Sequence, residues 1–119
     1  FQINDHLYSQ YLKEMIFEEV RKEHFPTTPS RLRSIYLLND LKLARQYMKL
    51  HGRSYIYQIS LNTSGPLFFA DMRWLDLSNR KSLGEVKAIA HEYYRGNLVN
   101  SESFVEILFE GTVKVEKQI

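Results

Sequence analysis

The stretch FVEILFEGTVKVEKQ, Phe104 to Gln118, decides the fold. It holds two runs that alternate with period two, hinged at Glu110-Gly111, and so predicts a pair of bent or paired strands. Glu106 stands at the head of the first run, which otherwise offers apolar side chains to a sheet. A carboxylate in that position is either an outward-facing strand residue or a group kept for chemistry. Alternation allows both.

Upstream, SIYLLNDLKLARQYMKL, Ser34 to Leu50, joins a strand-like run to a helical one. RLRSIYLL mixes a β-branched residue, an aromatic and leucines, which predicts a short buried strand. Asn39 or Asp40 then caps a helix whose stripes are Leu41, Ala44, Met48 and Leu43, Tyr47, Leu50, closed at Gly52. Tyr36 and Tyr47 thus lie eleven positions apart, one on a strand and one on a helix. Either both rings pack in the core, with hydroxyls satisfied locally, or they clamp a flat ligand.

The remaining elements follow from period and punctuation. After Asn4 and Asp5, the residues Leu7, Tyr8, Tyr11, Leu12, Met15, Ile16 and Val20 predict an amphipathic helix with Lys13, Glu14, Glu18, Arg21 and Lys22 on a solvated face. Pro26 and Pro29 in HFPTTPS end it. RSYIYQISLN alternates as a strand, TSGP turns, LFFAD makes a second short strand, and MRWLDLSNR reads as an irregular link with Trp74 as a core plug. Ser82 and Glu85 form a capping box before Val86, Ile89, Ala90 and Tyr93, and Gly96 ends that helix. NLVNSES is a polar loop. Helices early and strands late predict an α+β domain with a largely antiparallel sheet over residues 1–119.

Composition narrows the function classes. The chain has 119 residues, 44% hydrophobic and 25% charged, which suits one globular domain. No run is apolar for long enough to span a bilayer, so no membrane association is expected. A net charge of +2 and pI near 8.8 permit nucleic acid without demanding it. Cysteine is absent, which excludes disulfides and thiolate metal sites and makes the cytoplasm the default expectation. His6, His24, His51 and His91 lack a ligand spacing, HEYYR being half of H-E-x-x-H, so no metal is expected. Neither G-x-G-x-x-G, a Walker pattern nor a nucleophile elbow occurs.

Two of these segments together resemble the ADP-ribosyltransferase fold, the NAD-splitting domain of diphtheria-toxin-like and poly(ADP-ribose)-polymerase-like enzymes. Its tyrosine-containing branch has a tyrosine in a G-I-Y-F-like strand and another eleven positions on, to which S-I-Y-L and A-R-Q-Y, with Tyr36 and Tyr47, are similar. Its glutamate opens a late strand, often as E-x-L-L-P-x-G-T, and E-I-L-F-E-G-T-V-K-V resembles that with Glu106 leading. FPTTPSRLRSIYL with YYRG looks like a bacterial group of such domains, some of them toxins or phage-defence proteins. The resemblance spans roughly Phe25 to Val115.

The resemblance implies a small, mostly antiparallel split sheet flanked by helices, and NAD as a substrate with no metal. It makes Glu106 the catalytic carboxylate, stabilising an oxocarbenium-like centre as the nicotinamide–ribose bond breaks. Tyr36 and Tyr47 would sandwich the nicotinamide, Ser34 would bond the ribose or carboxamide, and Arg31 and Arg33 would meet the pyrophosphate. It implies a transferase with a macromolecular acceptor, protein or nucleic acid, or an NAD glycohydrolase with water as acceptor, and an inhibitor or antitoxin partner. An earlier strand with an anchoring histidine or arginine belongs to that fold and has no counterpart here, so either the first strand of the fold preceded Phe1 or the anchor has been replaced. Phe104 stands where arginine-modifying members carry Glu or Gln, which argues against an arginine acceptor. Two alternatives stay open: an inactive member used as a binding module, and an RNA-binding domain stacking bases on Tyr55 or Tyr57.

Overall fold

A computed structural model describes residues 5–100 and 104–119, with side chains from Gln10 onward. The first helix, α1, runs Asp5–His24 and ends where Pro26 follows. A short strand, β1 (Ile35–Leu37), leads to α2 (Leu41–Leu50), capped by Asp40, whose carboxylate accepts from the Lys42 and Leu43 amides. Gly52, at φ 62°, closes it. Then come β2 (Tyr57–Leu61), β3 (Leu67–Asp71), a five-residue helix α3 (Arg73–Leu77), α4 (Leu83–Tyr94), β4 (Val105–Phe109) and β5 (Val113–Gln118). The Ser82–Glu85 capping box is formed, and Gly96, at φ 78°, follows α4.

The strands form two antiparallel sheets, one ordered β1-β4-β3 and the other β2-β5. The expected α+β class with antiparallel pairing is what the chain adopts. The Phe104–Gln118 stretch does bend, and its halves go to different sheets instead of pairing with each other. In the β2-β5 pair the register shifts between Gln58 and Ile59. The segment between β2 and β3 passes tightly under the β4–β5 corner, where the Glu110 amide donates to the Pro66 carbonyl. A Cβ at Gly65 would collide with the Glu110 carbonyl, so that crossing needs glycine.

The core lies between α1, α4 and one face of the three-stranded sheet: Phe17, Val20, Ala70, Val86, Ala90, Tyr93, Tyr94 and Leu108. Phe17 meets Tyr93 edge-on at 5.5 Å, and full burial of such a ring stabilises by about 1.5–3 kcal/mol.

Three expectations are corrected here. The α1 face carrying Lys13, Glu18 and Arg21 is buried, whereas Tyr11, Leu12 and Met15 are exposed. The reason lies in the segment that follows. Pro29 and Ser30 are fully buried, so the polar backbone around them needs partners that water cannot supply. Arg21 donates to the Thr28 carbonyl, and Glu18 accepts from the Ser30 hydroxyl and from Arg21. Lys13 does the same for α3, donating to the Leu75 carbonyl and to Asn79. Second, β1 is an exposed edge strand and not a buried one, because β4 covers only one of its sides. Third, MRWLDLSNR contains α3, begun by Asp71, which is fully buried and accepts from the Arg73 amide and guanidinium. Trp74 packs against the core only in part and donates through Nε1 to the Asn97 carbonyl.

Candidate functional site

β4 is the middle strand of its sheet, so a side chain on it is flanked on both sides. Glu106 lies opposite Ala70 of β3, and Leu108, two residues on, lies opposite Tyr36 of β1. Period two therefore puts Glu106 and Tyr36 on the same face, on neighbouring strands. That face is the one packed on α1 and α4, and Glu106 is only 6% exposed.

A buried carboxylate must be paired and hydrogen-bonded. Its two partners come from separate parts of the chain. Arg31 donates from Nη1 at 2.5 Å, and the Tyr93 hydroxyl of α4 donates at 2.7 Å to the same Oε1. Arg31 also donates to the Tyr93 hydroxyl at 2.7 Å and, through Nε, to Glu14 of α1 at 3.0 Å. Its guanidinium sits between two rings, 5.1 Å from the Tyr36 centroid and 5.4 Å from that of Tyr93. The Tyr36 hydroxyl donates to the Arg31 carbonyl. One guanidinium thus ties α1, β1, α4 and β4 together.

The electrostatics are those of a closed cluster. Burial disfavours the Arg31 cation, but Tyr93, Glu106 and Glu14 outweigh that and push its pKa up. Burial raises the Tyr36 and Tyr93 hydroxyls despite the nearby guanidinium. A second cluster adjoins the first. Burial acts to raise the Glu18 carboxyl, but hydrogen bonds from Arg21 and Ser30 win and lower it. The Ser30 amide donates to Glu110 at 2.5 Å, and Arg33 reaches the same carboxylate at 3.3 Å.

Of the residues singled out in the sequence, the fold brings Glu106, Tyr36 and Arg31 together. Ser34 sits nearby but donates to the Ser30 carbonyl, and Arg33 pairs with Glu110. Tyr47 stands apart on α2, where its ring leans on His51 at 4.2 Å. The two rings that face each other across a group are Tyr36 and Tyr93, and the group is Arg31. Tyr93 and Glu14 escaped the sequence reading. The sequence places Tyr93 on the apolar stripe of α4, and nothing local ties Glu14 to the site. Among the described residues no three His, Asp or Glu side chains come together as metal ligands. No helix among them is long and apolar enough to cross a membrane.

One neighbour is unsatisfied. The Tyr94 hydroxyl alone, of the buried side-chain polar atoms among the described residues, lacks a hydrogen-bond partner. Removing it should help, because an unpaired buried hydroxyl carries its full desolvation cost, about 1–3 kcal/mol. Tyr94→Phe should gain about 1 kcal/mol and raise the melting temperature by about 4 °C. A melting temperature at or below that of the parent, read by calorimetry, would count against that account.

The same tyrosines set the alkaline limit. Burial raises the Tyr93 and Tyr94 hydroxyls, so the folded state holds them neutral while the unfolded chain ionises near pH 10. Their contribution is complete below that pH and is lost as pH rises above it. The melting temperature should fall above about pH 10, and less steeply in Tyr94→Phe. Equal slopes in the two proteins would rule out Tyr94 as a contributor.

No curated protein matches the chain. A family model does, over residues 2–119, almost the whole length. On that match the chain belongs to the DUF2441 family, described as proteins of unknown function.

Proposed function

We propose that the chain splits the nicotinamide–ribose bond of NAD and transfers ADP-ribose to a macromolecular acceptor. The observation that carries this reading is the meeting of Glu106 and Tyr36, from different strands, at the Arg31 guanidinium. Bound NAD would supply a glycosidic bond whose cleavage builds positive charge on the sugar.

The cluster suits such a ligand in three respects. Tyr36 is 49% exposed, so one part of its ring is open to stack on a flat group. Arg31 is a planar fork suited to an anionic oxygen, and Arg33 lies two residues along. Glu106 offers a carboxylate beside both, on a central strand that fixes its position. Binding requires Arg31 to exchange the Glu106 oxygen for a ligand oxygen, a swap of one charge-assisted partner for another. Glu106 then faces the sugar with Tyr93 still donating to it, which holds the carboxylate in orientation. Tyr47 would join only if α2 closes toward β1.

A second reading has its own observation. Glu106 is already engaged by Arg31 and Tyr93 and is almost fully buried, as in a structural ion pair of an inactive binding module. Nicotinamide release from NAD, followed by chromatography against a protein-free control, separates the two. Release above control supports the NAD reading; no release and no heat of NAD binding by calorimetry would leave the binding module.

A further inference from the structure

The cations of this chain are unevenly employed. Arg21, Arg31, Arg33, Arg73 and Arg95 are each held by a carboxylate. Between Leu41 and Ala70 stand Lys42, Arg45, Lys49 and Arg53 and no Asp or Glu at all. No ion pair among the described residues involves any of those four. The stretch is therefore far more basic than a chain of net charge +2 suggests. All four side chains are exposed.

Their placement is ordered. Lys42, Arg45 and Lys49 recur at steps of three and four along α2, which puts them on one face over about 10 Å. With Leu41 and Gln46 they line an open groove. No α2 residue is fully buried: Leu43, Ala44 and Met48 are half-covered, whereas Leu41 and Leu50 are exposed along with the cations. A bilayer would need the apolar side of the helix continuous and free, and the cover over Leu43, Ala44 and Met48 interrupts it. A polyanion needs only the cations.

Exposed aromatic rings follow next in the chain. After Gly52, Tyr55 and Tyr57 are 64% and 51% exposed, with ring centroids 6.4 Å apart. They precede and begin β2, while Lys114 and Lys117 of the partner strand lie opposite Ser60 and Gln58, on the other face of the sheet from Tyr57. A sheet of two strands rarely stands alone, and large rings left in water on it call for a partner. Free cations interleaved with exposed rings are the signature of a single-stranded nucleic-acid platform: phosphates meet the cations and bases stack on the rings. A neutral carboxamide, Gln46, stands exposed beside the α2 cations and can both donate to and accept from a 2′-hydroxyl.

We propose that α2 and β2, through Lys42, Arg45, Lys49, Arg53, Tyr55 and Tyr57, form a binding surface for single-stranded RNA. The surface stands on charge and exposure alone. Naming RNA as the acceptor left open above rests in addition on the NAD reading.

The test is fluorescence anisotropy of the full chain, without NAD, on a labelled single-stranded RNA of mixed sequence about twenty nucleotides long, beyond the span of one small fold. With about four phosphates neutralised, affinity should weaken about 50-fold between roughly 50 and 200 mM salt. In Lys42→Ala/Arg45→Ala/Lys49→Ala that loss should shrink to about three-fold. Tyr55→Ala and Tyr57→Ala should each weaken binding by roughly ten-fold with the salt dependence kept. All these side chains are exposed, and an unchanged melting temperature verifies that each variant is folded. Absence of RNA binding at low salt, tighter binding to DNA of the same sequence, capture by anionic vesicles in place of RNA, or variants that bind like the parent would each overturn the proposal. RNA binding without nicotinamide release would sustain this surface and remove the NAD reading.

Discussion

Replacing Arg31 by methionine should cost about 3–5 kcal/mol of folding stability, the loss that follows when one partner of a buried ion pair is removed. The side chain is nine-tenths buried and serves two carboxylates, Glu14 and Glu106, besides the Tyr93 hydroxyl. Methionine fills much of the volume, so the loss measures charge and hydrogen bonding more than cavity. What remains is Glu106 buried with one donor, and a carboxylate so placed must be desolvated without compensation or take up a proton. In urea the midpoint should fall by about 2 M, a large share of the 5–15 kcal/mol that holds a domain of this size. Adding Glu14→Gln and Glu106→Gln to Arg31→Met should recover much of the loss, because no charge is then left unpaired. A loss under about 1 kcal/mol for Arg31→Met would mean that the cluster is open to water and holds nothing together.

What could be read from the sequence, and what could not, divides by distance along the chain. The Ser82–Glu85 box, the Asp40 cap and the glycines at 52 and 96 are made within a turn of one another, so their signals sit in a few adjacent letters. The alternation of β2 is local in the same way. Arg31 shows the opposite case: its partners Glu14, Tyr93 and Glu106 are 17, 62 and 75 positions away. No window of the sequence holds them together. The inversion of α1 has the same origin, since Lys13, Glu18 and Arg21 look like a solvated face until Thr28 and Ser30 are laid against Glu18 and Arg21, and Leu75 and Asn79 against Lys13. The five residues of α3 are too few to display a helical period. For the site, the resemblance singled out Glu106 and Tyr36 by motif and Arg31, with Arg33, by charge, and the fold brings Glu106, Tyr36 and Arg31 to one place. Tyr47 was singled out by spacing alone, and spacing carries no information on where α2 lies relative to β1.

Glu106→Gln should lower kcat for nicotinamide release by about 10²–10³-fold while leaving KM within a few-fold, under the NAD reading. An amide keeps the size of the side chain and can still accept from Tyr93 and Arg31, but it lacks the charge that opposes positive charge on the ribose. Interactions made only in the transition state appear in kcat, and those made equally with the bound substrate appear in KM. Tyr36→Ala should show the complementary pattern, raising KM by up to about ten-fold through loss of ring stacking, with kcat less affected. That split distinguishes a site from a scaffold. Were the Arg31 cluster purely structural, both substitutions would scale activity with the fraction of folded protein. Activity should therefore be measured well below each variant's melting temperature, with folding verified by circular dichroism. Glu106→Gln retaining the parent kcat in folded protein would exclude Glu106 as the catalytic carboxylate. Parallel losses in both variants, tracking their stability, would assign the cluster to architecture. The reading survives only if the carboxylate acts on the rate and the ring acts on the binding.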